Sequence, residues 1–259
     1  MRKYGGNVLA LERRELIKTK LSSDGNVVVA ELAREFGVTE ETIRRDLDKL
    51  EQEGHARKTY GGAVRSDSAQ FDLPYRIRSQ TNVESKRQMA TLAAKLVPDG
   101  ATIAVDSSSS AAFVVRALQQ KLSLSIITNS IGMLTELAGK TGWNILSTGG
   151  SLKGNGLALV GRQAERMVEG YHVEIAILSC RGLDASMGFM DSNEPDAEIK
   201  RAFIRQADKT IFLVDSSKFD RRSFVTIAET ERASVIVTNA KPSDEWFQKL
   251  LDCGVEVIF

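Results

Sequence analysis

The 259-residue chain has few cysteine, histidine and aromatic residues and no long apolar run. Its two cysteines, Cys180 and Cys253, lie far apart without a CxxC pattern or a histidine cluster, which argues against a disulfide framework and predicts no metal site. No stretch approaches the ~18 apolar residues that a membrane-spanning helix needs. The N-terminal residues also lack the apolar region of a signal peptide. We therefore expect a soluble, cytoplasmic protein with reduced thiols and no membrane partner.

The charges nearly cancel, since 35 basic and 34 acidic residues give a formal net charge of +1. This balance excludes a generic polyanion binder, so nucleic-acid binding would depend on where the charges lie and not on their sum. The hydrophobic content of 42% with only 6% aromatic residues favours an aliphatic α/β core. The length suits a small domain followed by a larger one.

The stretch from Val27 to Val64 has the pattern of a DNA-reading module. It predicts a helix over 30–36, a turn at Gly37-Val38-Thr39 and a second helix over 40–50, which is the arrangement of a helix-turn-helix. Thr39 occupies the N-cap position, where a hydroxyl accepts from free backbone N–H groups. The alternative is an ordinary amphipathic helix with a solvated charged face.

On a wheel of the second helix, Ile43, Leu47 and Leu50 form the core stripe and the opposite face is polar. The following segment, 54–66, contains no acidic residue. We interpret it as a β-hairpin wing that binds phosphates, with Gly61-Gly62 in a tight turn or in close approach to the DNA backbone. The candidate DNA-binding residues are Thr39, Thr42, Arg44, Arg45, Lys49, Arg57, Lys58 and Tyr60.

Beyond a linker predicted over 67–82, helices alternate with β-branched strands that end in small polar residues. The predicted strands are 102–105, 124–127, 143–146, 173–178, 210–214 and 233–237; the predicted helices are 83–96, 111–120, 131–140 and 196–208. This alternation predicts an α/β domain whose parallel sheet is covered on both faces. The predicted domains are therefore 1–66, a winged helix-turn-helix, and 83–259, a larger ligand-binding domain.

The polar residues that follow the strands form a candidate ligand site, because ligands bind outside the carboxyl ends of such strands. A serine run between a strand and a helix is typical of an anion site, so phosphate is the natural ligand. Asp106 is left to accept from a sugar hydroxyl, and Lys200 and Lys218 are the predicted counter-charges. The alternative is a serine-rich N-cap loop with solvated lysines. The candidate effector-binding residues are Asp106, Ser107, Ser108, Ser109, Ser110, Thr128, Asn129, Gly149, Gly150, Lys200, Asp215 and Lys218.

Neither histidine, His55 or His172, has a Ser, Cys or second His at motif spacing, so we predict no catalytic residue and no cofactor. A sugar-phosphate isomerase with an accessory DNA-binding domain is the alternative from another class of protein. The carboxylates and lysines at the strand ends favour it, but no acid and base pair can be placed from spacing.

Several of these motifs resemble one known family. They are 38–47 (Val-Thr-Glu-Glu-Thr-Ile-Arg-Arg-Asp-Leu), 61–64 (Gly-Gly-Ala-Val), 128–130 (Thr-Asn-Ser), 148–150 (Thr-Gly-Gly) and 215–219 (Asp-Ser-Ser-Lys-Phe). The chain resembles the DeoR family of bacterial transcriptional regulators over nearly its whole length. The resemblance implies a sensor domain similar in fold to ribose-5-phosphate isomerase. It also implies a repressor of a sugar-catabolism operon, released by a phosphorylated sugar.

Two further stretches, 178–184 and 190–194, resemble the regulators of fucose and rhamnose operons. That subgroup implies a deoxyketohexose 1-phosphate effector such as fuculose or rhamnulose 1-phosphate. Ser108-Ser109-Ser110 stands where most family members carry a Gly-Thr-Thr-like stretch, which keeps hydroxyls but loses the glycine. We expect a homodimer or homotetramer on double-stranded operator DNA, because two recognition helices must meet two half-sites. An activator would use the same residues as a repressor.

Overall fold

The computed structural model describes residues 8–24, 26–59, 61–65, 75–153 and 157–259. Contacts within the chain separate it into two units, Met1–Leu73 and Pro74–Phe259. The first unit packs helices against a small antiparallel sheet in the strand order β1-β3-β2. Its elements are α1 (Ala10–Asp24), β1 (Asn26–Val28), α2 (Val29–Phe36), α3 (Glu40–Gln52), β2 (Ala56–Thr59) and β3 (Gly62–Arg65).

The predicted helix-turn-helix is confirmed as α2 and α3. Gly37 ends α2 in a left-handed conformation, with φ +66°, which glycine adopts without steric penalty. Thr39 caps α3, and its hydroxyl accepts from the N–H of Thr42 at 3.2 Å. Ile43 and Leu47 are fully buried in a core shared with α1 and α2. The apolar stripe therefore orients α3 with its polar side toward solvent.

The wing is also present, as the hairpin of β2 and β3. Gly61 lies in the turn with φ +87°. At Gly62, an added Cβ would collide with the carbonyl oxygen of Val27, because β3 pairs closely with β1 at this point. The close approach predicted for this glycine pair is therefore made to a neighbouring strand of the protein itself.

The predicted linker over 67–82 needs correction. Residues 75–80 form a helix, α4 (Tyr75–Gln80), that belongs to the second unit, whose boundary lies at Pro74. Tyr75 packs near Gly132, where an added Cβ would lie 3.8 Å from the tyrosine ring. The short helix has too few apolar positions to be recognised by periodicity, and its packing within the second unit stabilises it.

The second unit continues with alternating helices and strands. Up to the middle of the unit they are α5 (Val83–Lys95), β4 (Thr102–Val105), α6 (Ser109–Ala117), β5 (Ser125–Thr128), α7 (Ile131–Leu137), β6 (Asn144–Ser147), β7 (Ser151–Lys153), β8 (Ala158–Val160), α8 (Arg162–Glu169) and β9 (Val173–Ser179). They are followed by β10 (Gly182–Asp184), β11 (Gly188–Asp191), α9 (Glu194–Arg205), β12 (Ala207–Leu213), β13 (Val225–Ala228), β14 (Val235–Val237), α10 (Asp244–Asp252) and β15 (Glu256–Ile258). Short 3-10 turns lie at Ser216–Lys218 and Thr230–Arg232.

The predicted parallel sheet is confirmed. In the described part of the chain it has seven strands in the order β15-β14-β12-β9-β4-β5-β6, all paired in parallel. The chain runs outward from β4 to β6 and then returns to β9 on the other side of β4. The strand order therefore reverses between β4 and β9, and this is where a crevice for ligands is expected.

Both faces of the sheet are buried. Successive side chains of a strand point to opposite faces, so Ile175 and Ile177 of β9 pack with α5, α6 and α7, whereas Ala176 and Leu178 pack with α8, α9 and α10. This double burial explains the continuous β-branched runs in the sequence. Two additional small sheets, β7-β8 and β10-β11-β13, lie outside the sequence predictions, because short strands such as Ser151–Lys153 and Gly182–Asp184 lack the continuous β-branched runs of the parallel sheet. None of the described helices is long and apolar enough to cross a membrane.

Candidate functional site

The polar face of α3 presents two arginines to solvent. The Arg45 side chain is 77% exposed, and its Nε lies 3.4 Å from Glu41 Oε1. Arg44 donates to Glu40 Oε2 at 2.6 Å. Exposed ion pairs within one helix contribute little stability, so both guanidinium groups can exchange a glutamate for a DNA acceptor. Lys49 is exposed as well, and Thr42 is half-buried with its hydroxyl 2.9 Å from that of Thr39.

The wing carries Arg57 and Lys58 on its exposed strand β2. The Lys58 ammonium donates to Asp48 of α3, and this hydrogen bond raises the pKa of Lys58. Its backbone N–H donates to Glu51 Oε1 at 2.8 Å. These bonds fix the wing against α3, which is a second role for Lys58 beside the predicted phosphate contact. Tyr60 lies outside the described residues.

A buried ion pair, absent from the sequence predictions, holds α3 in place. Arg13 of α1 donates through Nε to Asp46 of α3, and both side chains are less than 10% exposed. Arg14 Nη1 lies 3.8 Å from the other carboxylate oxygen. Asp46 lies on the buried side of α3 beside the apolar residues Ile43, Leu47 and Leu50. Only its partner on α1 explains a charge at this position.

In the second unit, the predicted strand-end residues gather at the carboxyl edge of the sheet. Asp106, which follows β4, is completely buried and accepts from the N–H of Ser108 and from the N–H of Ser179, each at 3.0 Å. Because Ser179 ends β9, this carboxylate bridges the two strands at the reversal point. Both oxygens of Asp106 are thus engaged by backbone N–H groups of the protein, and its contact with a sugar hydroxyl stays a prediction.

Lys200 differs from its predicted role. It extends from α9 into the interior, where its ammonium donates to Asp191 and to the carbonyl oxygen of Ser179 at 2.8 Å, and lies 3.3 Å from Asp106 Oδ2. Burial alone lowers the pKa of Lys200, but attraction to Asp191 and Asp106 outweighs burial and raises the pKa above its ordinary value. Lys200 is therefore an interior cation that lies between two buried carboxylates and offsets one of their two negative charges.

Lys218 lies at the partly exposed side of the same carboxyl edge of the sheet. Its ammonium donates to Ser179 Oγ at 2.8 Å and lies 3.4 Å from Asp215 Oδ2, and 15% of its side chain is exposed. Burial raises the pKa of Asp215, but Lys218 and the bonds from Ser217 outweigh it and hold this pKa below its ordinary value. Lys218 is thus partly accessible and oriented by its two partners, as an anion-binding lysine must be.

The serine run lines the edge beside β4. Ser108 caps α6, since its hydroxyl accepts from the N–H of Ala111 at 3.1 Å. Ser107, Ser109 and Ser110 are buried around it. A helix N-terminus with hydroxyls beside it favours an anion. The structure therefore brings the predicted serines to the same edge as Lys218.

Thr128 ends the neighbouring strand, β5, and Asn129 follows it. The Thr128 hydroxyl donates to the carbonyl oxygen of Val105 at 2.8 Å and so joins β5 to β4. The Asn129 amide donates to Leu159 O at 3.1 Å and lies 3.5 Å from Ser107 Oγ. Its carbonyl oxygen is buried and has no hydrogen-bond partner among the described residues. A buried polar atom without a partner is costly and points to a ligand.

Gly149 and Gly150 follow β6 with φ of +61° and +99°. At Gly150, an added Cβ would lie 2.6 Å from the carbonyl oxygen of Val160, so the strand end must pass closely under β8. The hairpin that follows places Lys153 against Asp196, with Nζ 2.6 Å from Oδ2. This pair closes one side of the edge, and sequence reasoning did not find it because 43 residues separate its members.

Besides Lys153 and Asp196, the residues near this edge that are missing from the predicted set include Ser179, Asp191 and Lys86. Ser179 follows a strand as Asp215 does, so the same strand-end rule would have found it. Asp191 ends the short strand β11, and Lys86 lies inside α5. Their place at the site depends on packing between distant segments, which leaves no local pattern. Cys180, next to Ser179, is a buried free thiol whose pKa is raised to about 11 by burial.

Two known families of protein domains match the two parts of the chain separately. The DeoR-like helix-turn-helix domain matches residues 13–69, and the DeoR C-terminal sensor domain matches residues 81–240. The chain belongs to the DeoR family. It is accordingly a DNA-binding transcriptional regulator and not an enzyme, which decides against the isomerase alternative.

The regulator is similar to several curated relatives over nearly its whole length. It is 39% identical to the uncharacterized HTH-type transcriptional regulator YulB of Bacillus subtilis, over 96% of each chain. It is 32% identical to the putative aga operon transcriptional repressor of Escherichia coli O157:H7, over 95% of this chain and 93% of that one. It is 30% identical to the L-fucose operon activator of Haemophilus influenzae, over 90% and 93%.

Among solved structures, ribose 5-phosphate isomerase A of Methanocaldococcus jannaschii aligns with a TM-score of 0.40 and 21% identity. The alignment covers 54% of this chain and 55% of that one.

Proposed function

We propose that this regulator represses a sugar-catabolism operon and releases its operator when a phosphorylated sugar binds at the carboxyl edge of the sensor sheet. The observation that carries the ligand part is the continuous polar band along this edge. Asn129 contacts Ser107, Asp106 joins Ser179, and Ser179 accepts from Lys218. Such a band supplies a cation, hydroxyls and a helix N-terminus to a phosphate, together with an open amide acceptor for a sugar hydroxyl.

The DNA part rests on α3 and the wing. Arg45 is the candidate for a bidentate contact with a guanine, because its guanidinium is the more exposed of the pair on α3. Thr42 and Lys49 accompany it, and Arg57 and Lys58 are the candidates for phosphates. A dimer or tetramer would place two such helices about one turn of DNA apart, roughly 34–36 Å.

Fuculose 1-phosphate and rhamnulose 1-phosphate are the first effector candidates, because stretches 178–184 and 190–194 resemble regulators of fucose and rhamnose operons. These stretches contribute Ser179 and Asp191, which both lie at the edge. An H. influenzae relative acts as an activator of the L-fucose operon by its name, whereas the aga relative is named a repressor. The position of the operator relative to the promoter decides whether the bound regulator represses or activates transcription.

The first prediction concerns release of DNA by the effector. In gel shifts with DNA upstream of its own and neighbouring genes, the full-length regulator should form a specific complex that one ketose 1-phosphate of a panel dissociates. A coupling of about 1–3 kcal/mol between the two ligands is sufficient. The Lys218→Met variant should bind the same DNA equally well and lose its response, because the accessible cation of the edge is gone. A specific complex that resists every sugar phosphate would refute the proposed sensor site.

The second prediction separates base reading from phosphate binding. Arg45→Ala should weaken operator binding by roughly 1–3 kcal/mol and leave binding to random DNA nearly unchanged. Lys58→Ala should weaken binding to both DNAs alike and make the slope of log affinity against log salt shallower by about 1. Fluorescence anisotropy at several salt concentrations measures both effects. Equal losses on operator and random DNA for Arg45→Ala would exclude its role in base reading.

A further inference from the structure

Helix α4 contacts both helices that begin at the proposed phosphate site. Tyr75, its first residue, packs beside Gly132 of α7 and lies near Arg116 of α6. Arg116 in turn forms two hydrogen bonds with Glu136 of α7, at 2.7 and 2.8 Å. Because α6 starts at the serine run and α7 follows Asn129, the beginning of α4 is fixed to the two helices nearest the site.

The end of α4 is held by Lys86. This residue lies in the first turns of α5, is only 6% exposed, and donates from its ammonium to the carbonyl oxygens of Arg78 and Thr81. The last carbonyl groups of a helix have no partner within the helix, and here a lysine supplies the missing donor. Lys86 therefore stabilises the end of α4 from the side of the sensor core.

Lys86 also lies within the electrostatic reach of the proposed site. The charged groups that face it are Lys218 and Asp215, which follow β12, and Arg78 of α4. Burial and the nearby Lys218 ammonium lower the pKa of Lys86 to about 8. Around Lys86, the positive charges of Lys86, Lys218 and Arg78 outnumber the one carboxylate of Asp215, and this excess attracts an anion.

We propose that Lys86 is a latch on α4: an anion bound beside Lys218 draws the Lys86 ammonium toward itself and away from the carbonyl oxygens of Arg78 and Thr81, which loosens the end of α4. This inference rests on the proposed function, since it requires an anionic effector at Lys218. Only residues 66–74 separate α4 from the wing strand β3 in the chain. A conformational change in α4 would therefore occur close in sequence to the DNA-binding unit.

The latch has a proton-linked signature. At pH 8.5 a lysine with a pKa of about 8 is largely uncharged. A nearby anion favours the charged form and raises this pKa, so binding must take up as much as about three quarters of a proton. Isothermal titration calorimetry of the full-length protein, in two buffers of different ionisation enthalpy, measures this uptake. The probes are L-fuculose 1-phosphate and, separately, inorganic phosphate.

Hydrogen exchange of the amides of residues 75–82 is the second readout. In the wild type, a saturating probe should speed their exchange at least threefold. In Lys86→Met, exchange should already be fast without the probe and should not change with it, and the proton uptake should disappear. Lys95→Met, an exposed lysine on the same helix, should behave as the wild type in both measurements.

The possible results separate the latch from the function on which it rests. Failure of both probes to bind the wild type would overturn the latch and the proposed phosphate site together. Binding without proton uptake, or without faster exchange in α4, would overturn the latch alone. An unchanged response in Lys86→Met would do the same. Because the first two results come from the wild type, the latch stays testable even where the variant folds poorly.

Discussion

Lys200→Met should lower the free energy of unfolding of the second unit by about 3–5 kcal/mol, the range found when one partner of a buried ion pair is removed. The Asp106 side chain is fully buried and that of Asp191 is 9% exposed. Methionine fills nearly the same volume but cannot compensate either charge. Each carboxylate must then stay charged in a poorly solvated site or take up a proton.

Tryptophan fluorescence during urea unfolding measures this loss, because both tryptophans of the chain, Trp143 and Trp246, lie in the second unit. Lys209→Met is the matched control: Lys209 is exposed on β12, and such a change stays within about 0.5 kcal/mol. A loss below about 1 kcal/mol for Lys200→Met would contradict the role of Lys200 as a structural cation.

A double variant with Asp191→Asn should recover part of the loss at neutral pH, because it removes one of the two uncompensated charges.

Leu47→Ala should abolish DNA binding although Leu47 is fully buried in the core of the first unit and faces away from the polar side of α3. Removing a buried leucine side chain destabilises a core by about 2–5 kcal/mol. A domain of this size gains only about 3–5 kcal/mol from its core. The first unit should therefore be largely unfolded at 37 °C, and operator binding should fall at least tenfold.

Leu11→Ala provides the same chemical change at a leucine that is 67% exposed, and it should keep both stability and DNA binding. Circular dichroism during heating should show an early transition for the first unit in Leu47→Ala. Tryptophan fluorescence of the second unit should stay as in the wild type. Retention of operator affinity within threefold in Leu47→Ala would contradict the role of this core in holding α3.

Much of the fold could be predicted because its signals are local. The N-cap at Thr39, the turn at Gly37 and the stripe of Ile43 and Leu47 lie within a few residues of one another, and together they specify α2 and α3. The strands of the parallel sheet are recognisable because burial on both faces requires continuous β-branched runs. The three-residue strands β10 and β15 were not predicted, because they carry too few positions for a period to show.

Only part of the candidate site could be predicted from such local signals. Strand ends marked Asp106, Asn129 and Lys218 because polar residues there follow apolar runs. Their roles depend on partners far away in the chain: Asp106 accepts from Ser179, 73 residues later. The local sequence, an aspartate beside serines, does not show whether the carboxylate contacts a ligand or the protein. That depends on which distant segments of the chain pack against it.

The sequence by itself determined the two-domain plan, the helix-turn-helix and the polar carboxyl edge of the sheet, because these follow from periodicity, capping and the alternation of helices and strands. Tertiary structure alone decided which charged groups are structural and which stay accessible. It buried Lys200 between Asp106 and Asp191, left Lys218 at the partly exposed side of the edge, and placed Lys86 at the end of α4. Burial and distance govern the energy of a charge, and neither is set by neighbours in sequence.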